Sequence, residues 1–401
     1  MSAVPLRRNR DFVLLQTGQV VSSVGSQCTA IAYPLLALAL THSAAKTGVI
    51  AFLDLAPYAL FMLLAGVAAD RWNRKRIMLV ASAVRLTSIS SIVVTLLLHH
   101  ATFVQLGIVA FVQSTFAAFY STANSGSVRS VVAPEQLAEA AGIEQSRVAT
   151  ARLAGPPLGG ALFGLARFLP FLADAVSYAV SLVALVGIRA QFQEAREHDP
   201  SPLHAQVAEG VRFLWREPFL RTTALIFSLG NIVSPASLLL AVVIVGRRQG
   251  LTSGEIGALN AAMGATLLLG SFIAGRVTRA LSMRTILVAE LWCSCACAIF
   301  LVHPSVYLLL AGILPQSFVI PSTDTALAAY RYRVIPDRVL GRVTSVISNI
   351  GLLMSPVGSL GIGLLLAHLA ERQAVGVFAA VALVLAIWGT LSPSLRHPVV
   401  P

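Results

Sequence analysis

Charge is what this sequence has least of: only 11% of its 401 residues are Asp, Glu, Lys or Arg, against about 25% in soluble globular chains. A soluble chain of this size needs polar surface to cover its core. The shortage excludes a water-soluble globular fold, and the apolar excess, 56% of the chain, is expected to face lipid. Acidic residues are scarcer than basic ones, 17 against 29, for a net charge of +12. Such a balance can signal nucleic-acid binding. Here the cations sit in short segments between apolar runs, which is the positive-inside pattern of membrane proteins, so no nucleic-acid partner is expected. Cysteine is also sparse. Cys28, Cys293, Cys295 and Cys297 all lie within apolar runs, which excludes a disulfide framework. Of the last three only Cys293 and Cys297 share a helix face, with Glu290 three residues earlier and no histidine at a matching spacing, so no metal site is expected. A G-x-x-x-x-G-K-[ST] loop, a catalytic triad and a zinc motif are absent. Nucleotide-driven transport and enzymatic chemistry are thereby excluded, and no cofactor is implied. No cleavable leader is read, because the first ten residues are basic and polar and the first apolar run is too long for one.

What is present is a series of runs near the roughly 20 residues that cross a bilayer. Twelve are read, near 12–40, 48–69, 77–98, 102–123, 137–166, 169–188, 219–246, 255–278, 284–302, 305–328, 340–368 and 373–392. The runs at 12–40 and 137–166 are long and carry polar residues. The expected fold is an all-α membrane protein of twelve transmembrane helices, in two pseudo-symmetric six-helix bundles at 1–188 and 219–401. A cytoplasmic linker at 189–218 joins them.

Loop charges set the orientation. With both termini in the cytoplasm, every Lys and Arg falls on the inner side except Lys46, Arg167, Arg247, Arg248 and Arg372 outside, and Arg85, Arg147 and Arg152 within spans. The linker contains Asp199-Pro200-Ser201-Pro202, a turn signal. It then runs from Ala208 to Arg216 as an amphipathic segment expected at the membrane interface. The halves repeat weakly: Arg129 with Pro134-Glu135 leads into the fifth span, as Arg331 and Arg333 with Pro336-Asp337 lead into the eleventh. Gly155-Pro156 and Ser355-Pro356 then recur in those spans.

Between the second and third spans stands Gly66-Val67-Ala68-Ala69-Asp70-Arg71-Trp72-Asn73-Arg74-Lys75-Arg76. Gly66 is expected to allow close helix approach. Asp70 marks the point where a helix leaves the membrane beside a basic cluster. The spacing G-x-x-x-D-R-x-x-R-K-R closely resembles the signature loop of the major facilitator superfamily. Three further segments resemble the branch of enterobactin exporters and macrolide efflux pumps: Glu209-Gly210 with Arg212 to Trp215 and Glu217-Pro218; Pro336-Asp337 with Gly341-Arg342; and Arg152 with Gly155, Pro156, Gly159 and Gly160.

The resemblance implies a gating loop of Gly66, Asp70, Arg71, Arg74, Lys75 and Arg76, with Arg129 as a partner of Asp70 and Gly341 and Arg342 at the eleventh span. It implies export of a small hydrophobic or amphipathic molecule, driven by proton entry, and a monomer. Two departures stand out. Ala274 and Gly275 occupy the aspartate's place in the second-half counterpart, which makes the latch one-sided. Ala151 stands where antiporters of the family have a further glycine, which weakens the inference of antiport.

Charges inside spans are expensive and usually functional. The candidates for proton coupling are Asp54, Glu144, Asp324 and Glu290. Asp54 is read about six residues from the outer end of its span, either facing the bundle interior or solvated near the interface. Glu144 and Arg147, three apart, share a face and can pair. Of the two second-half acids Asp324 is preferred, because Pro321-Ser322-Thr323 suggests a wet cavity; the alternative is pairing with Arg331 or Arg333. Arg152 is read as a packing or gating residue. Arg85 and Asp174 are read first as structural. The resemblance places the cavity among spans 1, 4, 7 and 10, which nominates Gln27, Tyr33, Gln113, Tyr120, Asn231 and Gln316. Each is equally a candidate interhelical hydrogen-bonder. The function expected is secondary active export across the cytoplasmic inner membrane. The alternatives are a metabolite importer of the same fold and a transport-inactive membrane sensor.

Overall fold

Polar caps set where the helices begin. A side chain that accepts from a backbone N–H of the first turn satisfies a donor the helix cannot. Asn9 does this for α1 (Arg10–Thr41), Ser43 for α2 (Ala44–Arg71), Asn73 for α3 (Arg74–Leu97) and Thr102 for α4 (Phe103–Val131). These are followed by α5 (Leu137–Leu165) and α6 (Leu169–Gly187). The amphipathic α7 (Leu203–Arg216) precedes α8 (Pro218–Gly230), and a 3-10 turn at Asn231–Val233 leads into α9 (Pro235–Arg248). Next come α10 (Ser253–Ala280) and α11 (Met283–Ser294), the latter prolonged by 3-10 turns to Leu301. The chain closes with α12 (Val306–Val334), α13 (Asp337–His368), α14 (Glu371–Leu391) and the short α15 (Pro393–Arg396). This computed structural model describes residues 6–190, 192 and 203–396, and no strand occurs among them.

Eleven of these segments are long and apolar enough to cross a membrane, with α8 and α9 together forming one span, Pro218–Arg248. Besides the short α7 and α15, the helix not among the eleven is α5. Its 29 residues would rise about 43 Å, but Glu139, Glu144, Arg147 and Arg152 lower its apolarity. It coincides with the expected fifth span, and each of the other expected spans also falls on a helix. Large apolar side chains lie bare along the helices: Val183 is 73% exposed and Phe272 76%. Contiguous surfaces of this kind belong against lipid. The protein is therefore a multi-pass membrane protein.

The chain forms two compact units, Met1–His198 with Leu251–Ala261, and Asp199–Gly250 with Ala262–Pro401. The first has a core around Phe12, Leu15, Met78, Val128, Leu185 and Ile188. The second has one around Leu214, Phe219, Leu287, Tyr330, Val343 and Leu385. In the first unit α1 packs on α5 and α6, α2 on α4, and α3 on both α4 and α6. That arrangement turns the polar residues of α1, α2, α3 and α6 toward one another.

Candidate functional site

Charged and hydroxyl-bearing side chains gather inside the first unit around Arg85 of α3. Its Nε donates to Gln113 Oε1 on α4 at 3.1 Å, and its Nη2 to Ser26 Oγ on α1 at 3.3 Å. The guanidinium lies 4.4 Å from the ring centre of Tyr178 on α6, a cation–π contact. Gln113 is fastened in turn, its Nε2 donating to the Arg85 carbonyl at 2.7 Å and to Ser88 Oγ at 3.0 Å. Ser26 Oγ and Tyr178 Oη are 2.9 Å apart.

Two carboxylates share the field of this one cation, and their surroundings differ. Asp174 on α6 is 1% exposed. It accepts from Thr29 Oγ1 at 2.9 Å and from Ser177 Oγ at 3.2 Å. Asp54 on α2 is half-buried and accepts no hydrogen bond among the described residues. The charges of Arg85 and Asp174 both reach it. Arg85 makes no ion pair with either acid within the described residues. Tyr33 lies in the same field. It is buried, packs edge-on against Phe171 with ring centres 5.5 Å apart, and its hydroxyl has no hydrogen-bond partner among the described residues.

A second polar row follows α1 toward its N-terminus. Glu144 and Arg147 form the expected pair at 3.2 Å. Arg147 also donates to Ser23 Oγ, and Gln19 donates to Asn124 Oδ1. Tyr120 Oη lies 3.4 Å from Ser181 Oγ, within the fields of both Arg85 and Arg147.

The second unit carries a smaller group. Glu290 on α11 is 8% exposed, with Oε2 lacking a partner among the described residues. It lies by Thr323 and within the field of Asp324, both on α12. Asp324 itself is exposed, and its charge reaches Arg331. Gln316 is buried with Oε1 unpartnered among the described residues, and Asn231 donates to the Gly351 carbonyl at 3.2 Å.

Of the sequence-nominated residues, Tyr33, Asp54 and Gln113 meet in the first cluster, with Tyr120 and the Glu144–Arg147 pair beside it. Asn231, Glu290, Gln316 and Asp324 belong to the other unit. Gln27 packs its Cβ against Gly155. Arg152 is exposed, with no hydrogen bond or ion pair among the described residues. Asp54 is deeper than expected. The Ser43 cap starts α2 at Ala44, ten residues before it, or about 15 Å of helix rise. Arg85, Asp174 and Tyr178 are the partners that sequence reading set aside or missed. The available signal was an aspartate and a tyrosine at i, i+4 in an apolar run.

The loop at Gly66 to Arg76 is held by its cations. Arg74 Nε donates to the Ala69 carbonyl at 3.2 Å, and its guanidinium rests against Gly126 of α4. Lys75 donates to the carbonyl of Ile188, just past α6. Both place positive charge at the carbonyl end of a helix, where the macrodipole favours it. Arg71 and Arg76 are exposed. The side chains of Asp70 and Arg129, and Asp199 to Pro202, lie outside the described residues.

The expectation for Gly66 is corrected: a Cβ there meets nothing within 4 Å among the described residues, so no close approach to them requires glycine. Gly341 is equally open. Gly66→Ala is expected to leave the thermal unfolding midpoint in detergent unchanged or slightly raised, because alanine gains about 0.5–1 kcal/mol in a helix. A fall of several degrees would show a contact at this position that the structure does not contain. On α5, Gly155 and Gly159 lie against α1. A side chain at Gly160 would meet Ser253 and Gly257, in the segment that packs with the first unit.

Comparison with known proteins follows the same lines. A family model described as "Major Facilitator Superfamily" matches residues 16–247. The multidrug efflux pump Tap of Mycolicibacterium fortuitum is 24% identical over 360 residues, covering 86% of this chain and 87% of that protein. Macrolide efflux protein A of Streptococcus pyogenes is 25% identical over 365 residues, again 86% and 87%. A bacterial homologue of the iron transporter ferroportin, solved in an inward-facing state, superposes with a TM-score of 0.73 at 18% identity, over 96% of this chain and 99% of that one. At that identity the likeness concerns the fold alone.

Proposed function

The chain belongs to the major facilitator superfamily, and from that premise we propose that it is a proton-driven exporter of a small hydrophobic or amphipathic molecule working by alternating access. The substrate class is a drug, an antibiotic or a siderophore. The names of the two efflux relatives support the direction. The shortage of charge supports the chemistry, since an apolar molecule needs an apolar lining with few polar groups.

The observation that carries the proton is the cluster of Asp54, Arg85 and Asp174. Two carboxylates and one guanidinium leave one negative charge uncompensated among the three, and a single proton makes the group neutral. Asp54 is the acid with room for that proton. It is half-buried and accepts no hydrogen bond among the described residues, whereas Asp174 already accepts from Thr29 and Ser177. The loop with Gly66, Asp70, Arg71, Arg74, Lys75 and Arg76, together with Arg129, Gly341 and Arg342, is the gate in this reading. The protein is placed in the cytoplasmic membrane as a monomer with both termini inside.

The test is accumulation of a macrolide and of a lipophilic fluorescent dye in cells with and without the protein. Expressing cells are expected to hold less of at least one compound, and a protonophore is expected to restore the level of control cells. Greater accumulation than in controls would mean import. Efflux that survives the protonophore would remove the proton from the mechanism.

A further inference from the structure

The linker helix α7 divides its residues between two surroundings. Its inner side is fixed to α13: Leu214 is buried in a core shared with Val339, Val343 and Val346. Gly210 lies against the Arg342 carbonyl, and Glu209 pairs with Arg342. The outer side carries two rows at i, i+4. One is apolar, Val211 at 39% and Trp215 at 52% exposure. The other is basic, Arg212 and Arg216, both exposed. Neither arginine has an ion pair or hydrogen bond among the described residues.

Position along the chain sets the depth of this face. Arg216 ends α7, and the membrane span begins two residues later at Pro218. The C-terminal turn of α7 is therefore held at the level of the lipid headgroups. Arg221, in the first turns of the span, donates to the Trp215 carbonyl at 3.2 Å and adds a third cation there. An indole beside guanidinium groups at that depth matches an acyl-chain boundary beside a phosphate.

We infer that the outer face of α7 is a binding surface for anionic phospholipid, with Arg212 and Arg216 on the headgroup and Val211 and Trp215 in the upper acyl region. It needs only the membrane embedding of the chain and is independent of what the protein transports. The charge match decides the lipid class. An acidic headgroup is enriched about fivefold per arginine near the surface, whereas a zwitterionic one has no net charge to be attracted.

Quenching of Trp215 by brominated lipid tests this on the full chain in nanodiscs. The residue's signal is the difference between wild type and Trp215→Phe, because the chain has 4 tryptophans. At equal mole fraction, brominated phosphatidylglycerol is expected to quench Trp215 at least about twofold more than brominated phosphatidylcholine. The excess is expected to vanish in Arg212→Gln/Arg216→Gln and to shrink in high salt. Equal quenching by the two lipids in the wild-type protein overturns the inference, and that comparison needs no variant to fold. Absence of quenching by either lipid overturns it too, since the face then meets water or a soluble partner.

Discussion

Asp54→Asn is expected to collapse the substrate gradient by about fiftyfold while leaving the protein folded. One proton entering per substrate contributes ~2.3 kcal/mol for each 100 mV of membrane potential, and that energy corresponds to this factor at 25 °C. An asparagine cannot take up and release the proton, so uphill efflux stops. Downhill equilibration of the same substrate across the membrane should persist, because the passage itself is intact. The measurement is efflux from energised proteoliposomes set beside exchange in de-energised ones.

The neighbouring acid behaves differently. Asp174 is buried and holds Thr29 and Ser177, and a hydrogen bond to a charged group contributes about 1.5–3 kcal/mol. Asp174→Asn is therefore expected to lower the unfolding midpoint as well as transport. Undiminished pumping by Asp54→Asn would end the coupling assignment. Loss of the folded protein in that variant would make Asp54 a structural residue.

Gly159→Leu carries the other large effect. A Cβ at Gly159 would sit inside contact distance of the Cys28 carbonyl and 2.7 Å from its Cα, with Ile31 Cγ2 at 2.8 Å. These are mostly backbone atoms of α1, which cannot swing aside as a side chain can, so the two helices must part. Overpacking of this kind costs about 3 kcal/mol, or roughly 6–12 °C in unfolding midpoint for a unit of this size. Gly164→Leu on the same helix is the control, since its Cβ direction is open. Thermal unfolding in detergent should separate the two variants clearly. Equal midpoints would mean that α1 and α5 are not packed as described.

Some of this was readable from the chain alone. The Glu144–Arg147 pair follows from i, i+3 spacing on one helix. Gly155 and Gly159 stood out only through the family resemblance; their contact with α1 came from the structure. Gly66, read as allowing close helix approach, faces open space instead. Asp54 shows another limit: its depth depended on a serine cap that starts the helix at Ala44, several residues before the apolar run.

Hydropathy and charge are sums over neighbouring residues, so the chain by itself determined where most of the apolar helices fall, their lipid-facing character and the family loop. Which embedded polar groups meet is a matter of helix packing. Thr29 and Asp174, 145 residues apart, share a hydrogen bond, and Ser26 and Arg85, 59 apart, share another. Those meetings come from the way α1, α3 and α6 turn their faces inward, which no local pattern encodes. Only the tertiary structure decided that two acids in this unit share one arginine, and that one of them accepts no hydrogen bond among the described residues.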